Sequence, residues 1–313
     1  MTNKFITYLE TEKRYSPRTV GEYRDDLAAF EAFVRKSGEA FDVNRVDETD
    51  VRLWMVEMLD HGLSPRTVRR RLSALRSFYK YLLRQGLVKR DVTQKVIAPK
   101  TDKPLPVFFR ESEMAREQAI GERELDELMH SPDKDASPKE IFELTRDNLI
   151  ISILYQTGMR RAELIGLKDA DVDLADMQIR VFGKRRKERV VPIGDKLASE
   201  IEAYQEVRRG FETPDKHFLT QVHRDGTTSG MNASTIYMIV RARMGEVSTL
   251  KKHSPHVLRH TFATAMLNNG ADIRTIQSLL GHASLEATQI YTHATFEQIQ
   301  KAYKEAHPRS VKS

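Results

Sequence analysis

Six residues in the C-terminal half of the chain combine side chains that bind phosphate or carry protons with one side chain that could attack phosphorus. They are Arg160, Lys184, His256, Arg259, His282 and Tyr291. The two arginines could neutralise the nonbridging oxygens of a phosphate, because each planar guanidinium donates two charge-assisted hydrogen bonds. Tyr291 could attack the phosphorus and form a covalent ester, which would conserve bond energy for rejoining without ATP. The set predicts phosphodiester cleavage without a metal.

The other members of the set provide proton transfer and a further hydrogen bond. A tyrosine hydroxyl is a poor nucleophile near pH 7 unless its proton is removed. His256 could accept that proton, and it lies three residues before Arg259 on a predicted helix, so that both side chains point the same way. Lys184, in a turn between two predicted strands, could protonate the leaving 5′ oxygen. His282 follows Gly281 at a predicted helix end, where it could hydrogen-bond a nonbridging oxygen.

The elements predicted around these residues form a mixed but mainly helical domain. Apolar residues at helical spacing between 144 and 154 predict a helix that ends at Gly158. Apolar and polar side chains alternate at residues 178–182 and 189–192, which predicts a hairpin or two edge strands. Helical periodicity returns near Ser234 and continues towards the end of the chain.

A proline-rich segment separates this domain from an N-terminal one. Three prolines between residues 99 and 106 prevent a continuous helix and favour an extended linker. We therefore expect an N-terminal helical domain at residues 1–100, a linker at 101–112 and a second domain at 113–313.

The N-terminal domain carries the basic excess of the chain. Residues 1–110 hold 22 Lys or Arg against 15 Asp or Glu, whereas the formal net charge of the whole chain is +6. An asymmetry of this kind favours a polyanionic partner that contacts mainly one domain, although a solvated helical surface is the alternative.

One predicted helix of this domain presents a row of cations. The pentapeptide Ser-Pro-Arg-Thr-Val begins at Ser16 and again at Ser64 and predicts two helix starts, with Ser as the cap and Pro in the first turn. After the second start one stripe of the helix is apolar, and a second stripe, roughly 80° wide, is cationic. The cationic stripe consists of Arg66, Arg69, Arg76, Lys80 and Arg84. We expect it to contact phosphates of duplex DNA, with one or two side chains reaching base edges in the major groove.

The composition argues against several other classes of protein. The chain has no Cys, so it has neither disulfides nor thiolate metal sites. The N-terminus lacks the apolar core of a signal peptide, and the longest apolar stretch, Leu149 to Tyr155, is too short to span a bilayer. We expect a cytoplasmic protein without a membrane partner. His256 and His260 have the spacing of a metal pair, but Val257 stands where a zinc peptidase needs Glu, so no metal is expected.

The local contexts of the six residues resemble the tyrosine recombinase (phage integrase) family. The contexts are Thr-Gly-Met-Arg at 157–160, Gly-Lys at 183–184, His-Val-Leu-Arg-His at 256–260, Leu-Gly-His at 280–282 and Tyr-Thr-His at 291–293. Their order and spacing are most similar to those of the bacterial Xer recombinases, and the resemblance covers nearly the whole chain.

This resemblance implies a mostly α chain with two domains. The first is a helical SAM-like core-binding domain, and the second is a mainly helical catalytic domain with a small antiparallel β-sheet, the DNA breaking-rejoining enzyme fold. It implies that the six residues form the active site without any cofactor, with Tyr291 as the nucleophile. Glu163 matches an acidic position that supports the site, with a simple salt bridge as the alternative. Arg185 stands where Gly is common, which leaves the path of Lys184 open.

The resemblance also implies a reaction and an assembly. It implies cleavage and rejoining of double-stranded DNA with inverted half-sites, through a 3′-phosphotyrosyl intermediate and a Holliday junction. The active form would be a homo-tetramer or a hetero-tetramer with a second recombinase. A C-terminal helix near residues 296–307 would dock on the neighbouring protomer, with packing on its own domain as the alternative.

The biological role follows from the resemblance alone. It is the resolution of chromosome or plasmid dimers, which serves chromosome partition at cell division. The alternatives are an integrase of a mobile element, a type IB topoisomerase and a catalytically silent DNA-binding regulator.

Overall fold

Two separate hydrophobic cores divide the chain. In the computed structural model, residues 1–35, 41–101, 107–130, 137–183, 188–211, 213, 215–281 and 302–309 are described. The chain separates into two units, Met1–Pro104 and Leu105–Ser313, each with its own core. Phe109 is buried and its backbone N–H donates to Thr261 Oγ1 at 2.9 Å, which attaches residues 107–110 to the second unit. The bounds 101–112 expected for the linker stay a prediction.

The described part of the N-terminal unit is built from helices. They are α1 (Thr2–Thr11), α2 (Pro17–Arg35), α3 (Glu48–Asp60) and α4 (Pro65–Arg84). Both helix starts predicted from the repeated pentapeptide are confirmed, because the Ser16 and Ser64 hydroxyls accept from the backbone N–H three residues later at 3.3 and 3.2 Å. The apolar stripe of α4 fills the core, where Leu72 and Tyr79 are fully buried. The apolar stripe thus fixes the cationic stripe of α4 on another face of the helix.

The described part of the second unit is mainly helical and contains two small antiparallel sheets. Its helices are α5 (Glu111–His130), α6 (Pro138–Thr157), α7 (Arg161–Ile165), α8 (Asp195–Val207), α9 (Ala233–Val247), α10 (Pro255–Asn268) and α11 (Ile273–Leu280). One sheet has the order β1 (Val172–Asp173), β2 (Gln178–Phe182) and β3 (Glu188–Pro192), and the other pairs β4 (Thr220–Val222) with β5 (Thr228–Gly230). The expected hairpin is confirmed, since Ile179 pairs with Val191 and Val181 pairs with Arg189.

The end of α6 is shaped by Gly158. This residue ends the helix by adopting the left-handed conformation, with φ +60°, while its N–H still donates to the Leu154 carbonyl at 3.2 Å. A Cβ at this position would lie 2.4 Å from Phe262 Cδ1 and 2.8 Å from Leu280 Cδ2. Glycine therefore satisfies two requirements, because it adopts the left-handed conformation without strain and lets α10 and α11 approach closely.

Residues 302–309 pack against the second unit. Tyr303 and His307 are buried, and the ring of His307 stacks on that of Tyr303 at 5.1 Å and lies 5.3 Å from that of Tyr155. Arg309 donates to the Met114 carbonyl at 2.6 Å. The segment thus joins the core of its own chain, whereas the rest of the helix expected near 296–307 lies outside the described residues.

No helix in the described part of the chain combines the length and apolar character needed to cross a bilayer.

Candidate active site

The ends of α6, α7, α10 and α11 bring together the described members of the predicted site. Arg160 stands immediately before α7, and His256 and Arg259 lie in the first turns of α10. The other members, Lys184, His282 and Tyr291, lie outside the described residues. Gly183 and Gly281, which immediately precede Lys184 and His282, are described, so the points from which the chain continues towards these two residues can be located.

Arg259 is held by the ends of two helices. Its side chain donates to the Gly158 carbonyl through Nη1 and to the Leu280 carbonyl through Nη2, both at 2.6 Å. The last carbonyls of a helix lack partners within the helix and carry its negative dipole end, which makes them good acceptors for a cation. These bonds use two of the five N–H groups of the guanidinium.

Burial and charge both act on Arg259. Burial lowers its pKa, the charge of Arg160 lowers it further, and the result is about 10. The side chain therefore stays cationic at neutral pH while two positive charges remain close together. An anion bound near both would relieve that repulsion.

Arg160 is anchored along one edge and remains half exposed. Its backbone N–H and its Nη1 each donate to Glu163 at 2.7 Å, and its Nη2 lies 3.3 Å from the Gly281 carbonyl. The side chain of Arg160 is 44% exposed, whereas that of Glu163 is 4% exposed. A buried carboxylate thus orients an arginine that solvent can reach.

Glu163 accepts hydrogen bonds from two arginines. Besides Arg160, Arg189 donates to both carboxylate oxygens, at 3.1 Å from Nη1 and 2.7 Å from Nη2. Burial alone would raise the pKa of Glu163, but the hydrogen bonds and charge of Arg189, followed by those of Arg160, outweigh burial and hold the pKa below its usual value. The carboxylate is therefore ionised at neutral pH. Arg160 and Glu163 form a salt bridge at 2.7 Å, which agrees with both interpretations of Glu163, the supporting role and the simple salt bridge.

Arg189 is a residue of this cluster that the sequence patterns did not single out. Besides its fork on Glu163, it donates from Nε to the Leu279 carbonyl at 2.7 Å. It lies on the same face of β3 as Val191, which is fully buried, and its side chain is 12% exposed. The sequence did hold one signal for Arg189. Because side chains alternate between the two faces of a strand, the residue two before the apolar Val191 should point inward, and a charged residue at an inward position needs a partner.

His256 lies at the surface beside the arginines. Its ring is 4.8 Å from that of His260. Burial, followed by the charges of His260, Arg259 and Lys252, lowers its pKa. His256 is therefore neutral at pH 7, as a proton acceptor must be. No group of three or more potential metal ligands is found in the part of the chain that the structure describes.

The cationic stripe on α4 is divided between exposed and anchored side chains. Arg66, Arg69 and Lys80 are exposed. Arg76 donates to the Val96 carbonyl at 2.6 Å, and the Arg84 guanidinium lies 4.7 Å from the centre of the Tyr8 ring. Two serines of the same stripe were not predicted: Ser73 and Ser77 line an open recess of about 240 Å³ together with Arg76 and Lys80. Their hydroxyls add hydrogen-bond donors suited to phosphate.

Comparison with known proteins agrees with this fold and with the sequence motifs. Residues 118–298 match the Phage integrase family, and residues 2–86 match the Phage integrase, N-terminal SAM-like domain. The chain therefore belongs to the phage integrase family and is a tyrosine recombinase, a site-specific recombinase enzyme. The predicted fold class is confirmed.

The relatives narrow this assignment to the Xer type. Tyrosine recombinase XerC of Oceanobacillus iheyensis is 39% identical over 312 residues, which cover 98% of this chain and 95% of that protein. Tyrosine recombinase XerC of Bacillus subtilis is 36% identical over 314 residues, covering 98% and 96%. Among solved structures, the XerH site-specific recombinase bound to palindromic difH substrate, in a post-cleavage complex, shares the fold, with a TM-score of 0.68, 21% identity and coverage of 97% and 84%.

Proposed function

We propose that Tyr291 attacks the scissile phosphorus of double-stranded DNA while Arg160 and Arg259 neutralise the nonbridging oxygens. The observation that supports this proposal is the attachment of the two guanidinium groups to adjacent carbonyls, those of Gly281 and Leu280. Two cations fixed side by side in advance stabilise the charge that develops on a phosphate without reorganising during the reaction. The product is a 3′-phosphotyrosyl link, from which the strand is rejoined.

The remaining steps are proton transfers. His256 accepts the tyrosine proton, in keeping with its lowered pKa. Lys184 protonates the leaving 5′ oxygen, and His282 hydrogen-bonds a nonbridging oxygen. These two roles and that of Tyr291 rest on the family resemblance and on the order of the motifs, because the three residues lie outside the described part of the chain. Glu163 supports the site by holding Arg160.

DNA is held by the cationic stripe on α4. Its exposed members can neutralise phosphates, and Ser73 and Ser77 extend the row of donors. Arg76 and Arg84 are less free to reach a phosphate, because each side chain already has a contact within its own unit.

The active assembly is a tetramer on two duplexes with inverted half-sites, composed of this chain alone or of this chain with a second recombinase. Strands are exchanged through a Holliday junction. The C-terminal helix near residues 296–307 docks on a neighbouring protomer. Because residues 302–309 pack on their own domain in the structure, this docking requires them to leave that position.

The cellular role proposed is the resolution of chromosome or plasmid dimers in the cytoplasm. The similarity to XerC proteins along nearly the whole chain supports this role over integration of a mobile element.

A covalent trapping experiment tests the chemistry. The substrate is a nicked suicide duplex whose half-sites are selected by the protein from a random-sequence library. The wild type is expected to form a DNA adduct that survives denaturing electrophoresis, in EDTA as well as without it. Tyr291→Phe is expected to form none, whereas Tyr237→Phe, which changes an exposed tyrosine of α9, should behave as the wild type. An adduct in Tyr291→Phe would remove this residue from the proposed role.

A further inference from the structure

We propose that Arg189 is a positioning residue of the recombinase site, which keeps Arg160 available for the scissile phosphate by neutralising Glu163 and by fixing the end of α11. This inference rests on the proposed role of Arg160 as a phosphate ligand. It gives a task to a side chain that neither the motifs nor the family resemblance singled out.

The first argument concerns charge. Arg160 and Glu163 alone would form a neutral pair, and the carboxylate would compete with a phosphate for the same guanidinium. Arg189 supplies two of the four hydrogen bonds that Glu163 accepts, and it adds a positive charge. Arg160 and Arg189 bond the Glu163 carboxylate, and Arg259 is bonded to carbonyls nearby, so the cluster of three guanidinium groups and one carboxylate has a net charge of two positive units. That excess matches a phosphate that gains negative charge as Tyr291 attacks.

The second argument concerns the end of α11. The carbonyls of Leu279, Leu280 and Gly281 are consecutive along the chain, and each accepts from a different arginine. The donors are Arg189, Arg259 and Arg160, in that order. His282 comes next in the chain, so the three bonds fix the point from which the chain continues towards it.

Gly281 allows Arg189 to reach this position. It ends α11 with φ +61°, and a Cβ there would lie 3.1 Å from Arg189 Nη1 and 3.2 Å from its Cδ. A side chain at residue 281 would therefore press on the arginine as well as strain the backbone. The glycine before His282 and the arginine on β3 are thus parts of one arrangement.

Arg189 acts through other residues and does not itself contact the phosphate. Its Nε and both Nη atoms are bonded to protein oxygens, and its side chain is 12% exposed. The side chain of Arg160 is 44% exposed. Loss of Arg189 should consequently resemble a weaker form of the loss of Arg160.

The test compares two suicide duplexes that differ only at the scissile position. One has an ordinary phosphodiester, and the other has a methylphosphonate, which lacks one charged nonbridging oxygen and therefore needs less neutralisation. The variants are Arg189→Gln, Arg189→Lys and Arg160→Ala. The control is Arg180→Gln on β2, where the exposed side chain donates to the Ala170 carbonyl.

Arg189→Gln is expected to cleave the phosphodiester about 10²-fold more slowly than the wild type, the loss typical of a misplaced catalytic group. On the methylphosphonate the loss should fall to about 10-fold or less, as it should for Arg160→Ala. Arg189→Lys keeps the positive charge but lacks the forked guanidinium that donates two hydrogen bonds to Glu163. It should also lose more activity on the phosphodiester than on the methylphosphonate, with a smaller loss than Arg189→Gln, so the test remains valid if the Gln variant folds poorly. Arg180→Gln should match the wild type on both duplexes.

Three outcomes would overturn the proposal. Equal losses on the two duplexes for both Arg189 variants would indicate a general structural role. Normal cleavage by these variants together with failure of Arg160→Ala would refute the inference and leave the proposed site intact. Normal cleavage by Arg160→Ala would refute the proposed site and, with it, the inference.

Discussion

Replacement of Gly158 by alanine is expected to destabilise the catalytic unit and to displace Arg259. The new methyl group would lie 2.4 Å from Phe262 Cδ1 and 2.8 Å from Leu280 Cδ2, and φ is +60°. Both neighbours belong to helices that form the site, so relief of the contact must move α10 or α11. The Gly158 carbonyl also accepts from Arg259, and its shift would change where that guanidinium lies.

The loss in free energy of unfolding that we expect for Gly158→Ala has two parts, and a matched variant can separate them. A left-handed alanine costs about 1–2 kcal/mol, and forcing a methyl group into a packed site costs about 1–3 kcal/mol, so that Gly158→Ala should lose about 2–5 kcal/mol. Gly270 lies in the same unit and has φ +85°, but a Cβ there would meet nothing within 4 Å. Gly270→Ala should therefore carry only the backbone cost, and the difference between the variants measures the packing cost.

Thermal unfolding of the two variants gives the measurement. For a domain of this size, 1 kcal/mol shifts Tm by about 2–4 °C. Gly158→Ala should melt below Gly270→Ala by roughly 2–12 °C, and it should cleave the suicide duplex more slowly at temperatures where both are folded. Equal melting temperatures would refute the argument that Phe262 and Leu280 confine residue 158.

Three further predictions concern titratable groups. Glu163→Gln leaves two guanidinium groups facing a neutral amide and should lower the free energy of unfolding, measured in urea, by about 3 kcal/mol. The control Glu206→Gln, which breaks an exposed pair, should lower it by less than about 0.5 kcal/mol. Equal losses would contradict the argument that the buried pair matters more. Because the pKa of His256 is lowered, kcat/KM for cleavage should fall only below about pH 6.5, and His256→Asn should lack that acid limb. Burial lowers the pKa of His307 to about 3. The free energy with which residues 302–309 dock should therefore be constant above about pH 6.5 and weaken below that pH, by up to about 1.4 kcal/mol per pH unit. Proteolysis of the C-terminal segment should accelerate below about pH 6.5 in the wild type but not in His307→Phe.

Local signals in the sequence were sufficient for much of the fold. The start of α4 depends on Ser64 and Pro65, which lie within one turn of the helix that they begin, and its two stripes follow from helical geometry. The hairpin of β2 and β3 follows from alternation within a few residues. These features require no knowledge of distant parts of the chain.

The contacts of the arginines were not predictable in the same way. Arg189 meets Glu163 across 26 residues and Leu279 across 90 residues, and no local pattern specifies such pairs. Within a basic hairpin, one more arginine is most simply interpreted as a solvated side chain. The contact of Arg84 with Tyr8, a residue of α1, is equally remote in sequence. Residue type and order indicated the chemistry, whereas packing decides which arginines remain available for DNA.

The way the arginines are held has a consequence for phosphate binding. A carboxylate bonded to Arg259, as Glu163 is to Arg160, would stabilise the free protein, but it would compete with the phosphate of the substrate for the Arg259 guanidinium. The carbonyls of Gly158 and Leu280 instead carry only partial charges, so they orient the guanidinium while leaving its positive charge largely uncompensated. The resulting repulsion from Arg160 contributes to the lowered pKa of Arg259 and opposes the free state. An anionic phosphate between the two side chains would remove that repulsion, so the arrangement that opposes the free state would strengthen the proposed complex with DNA.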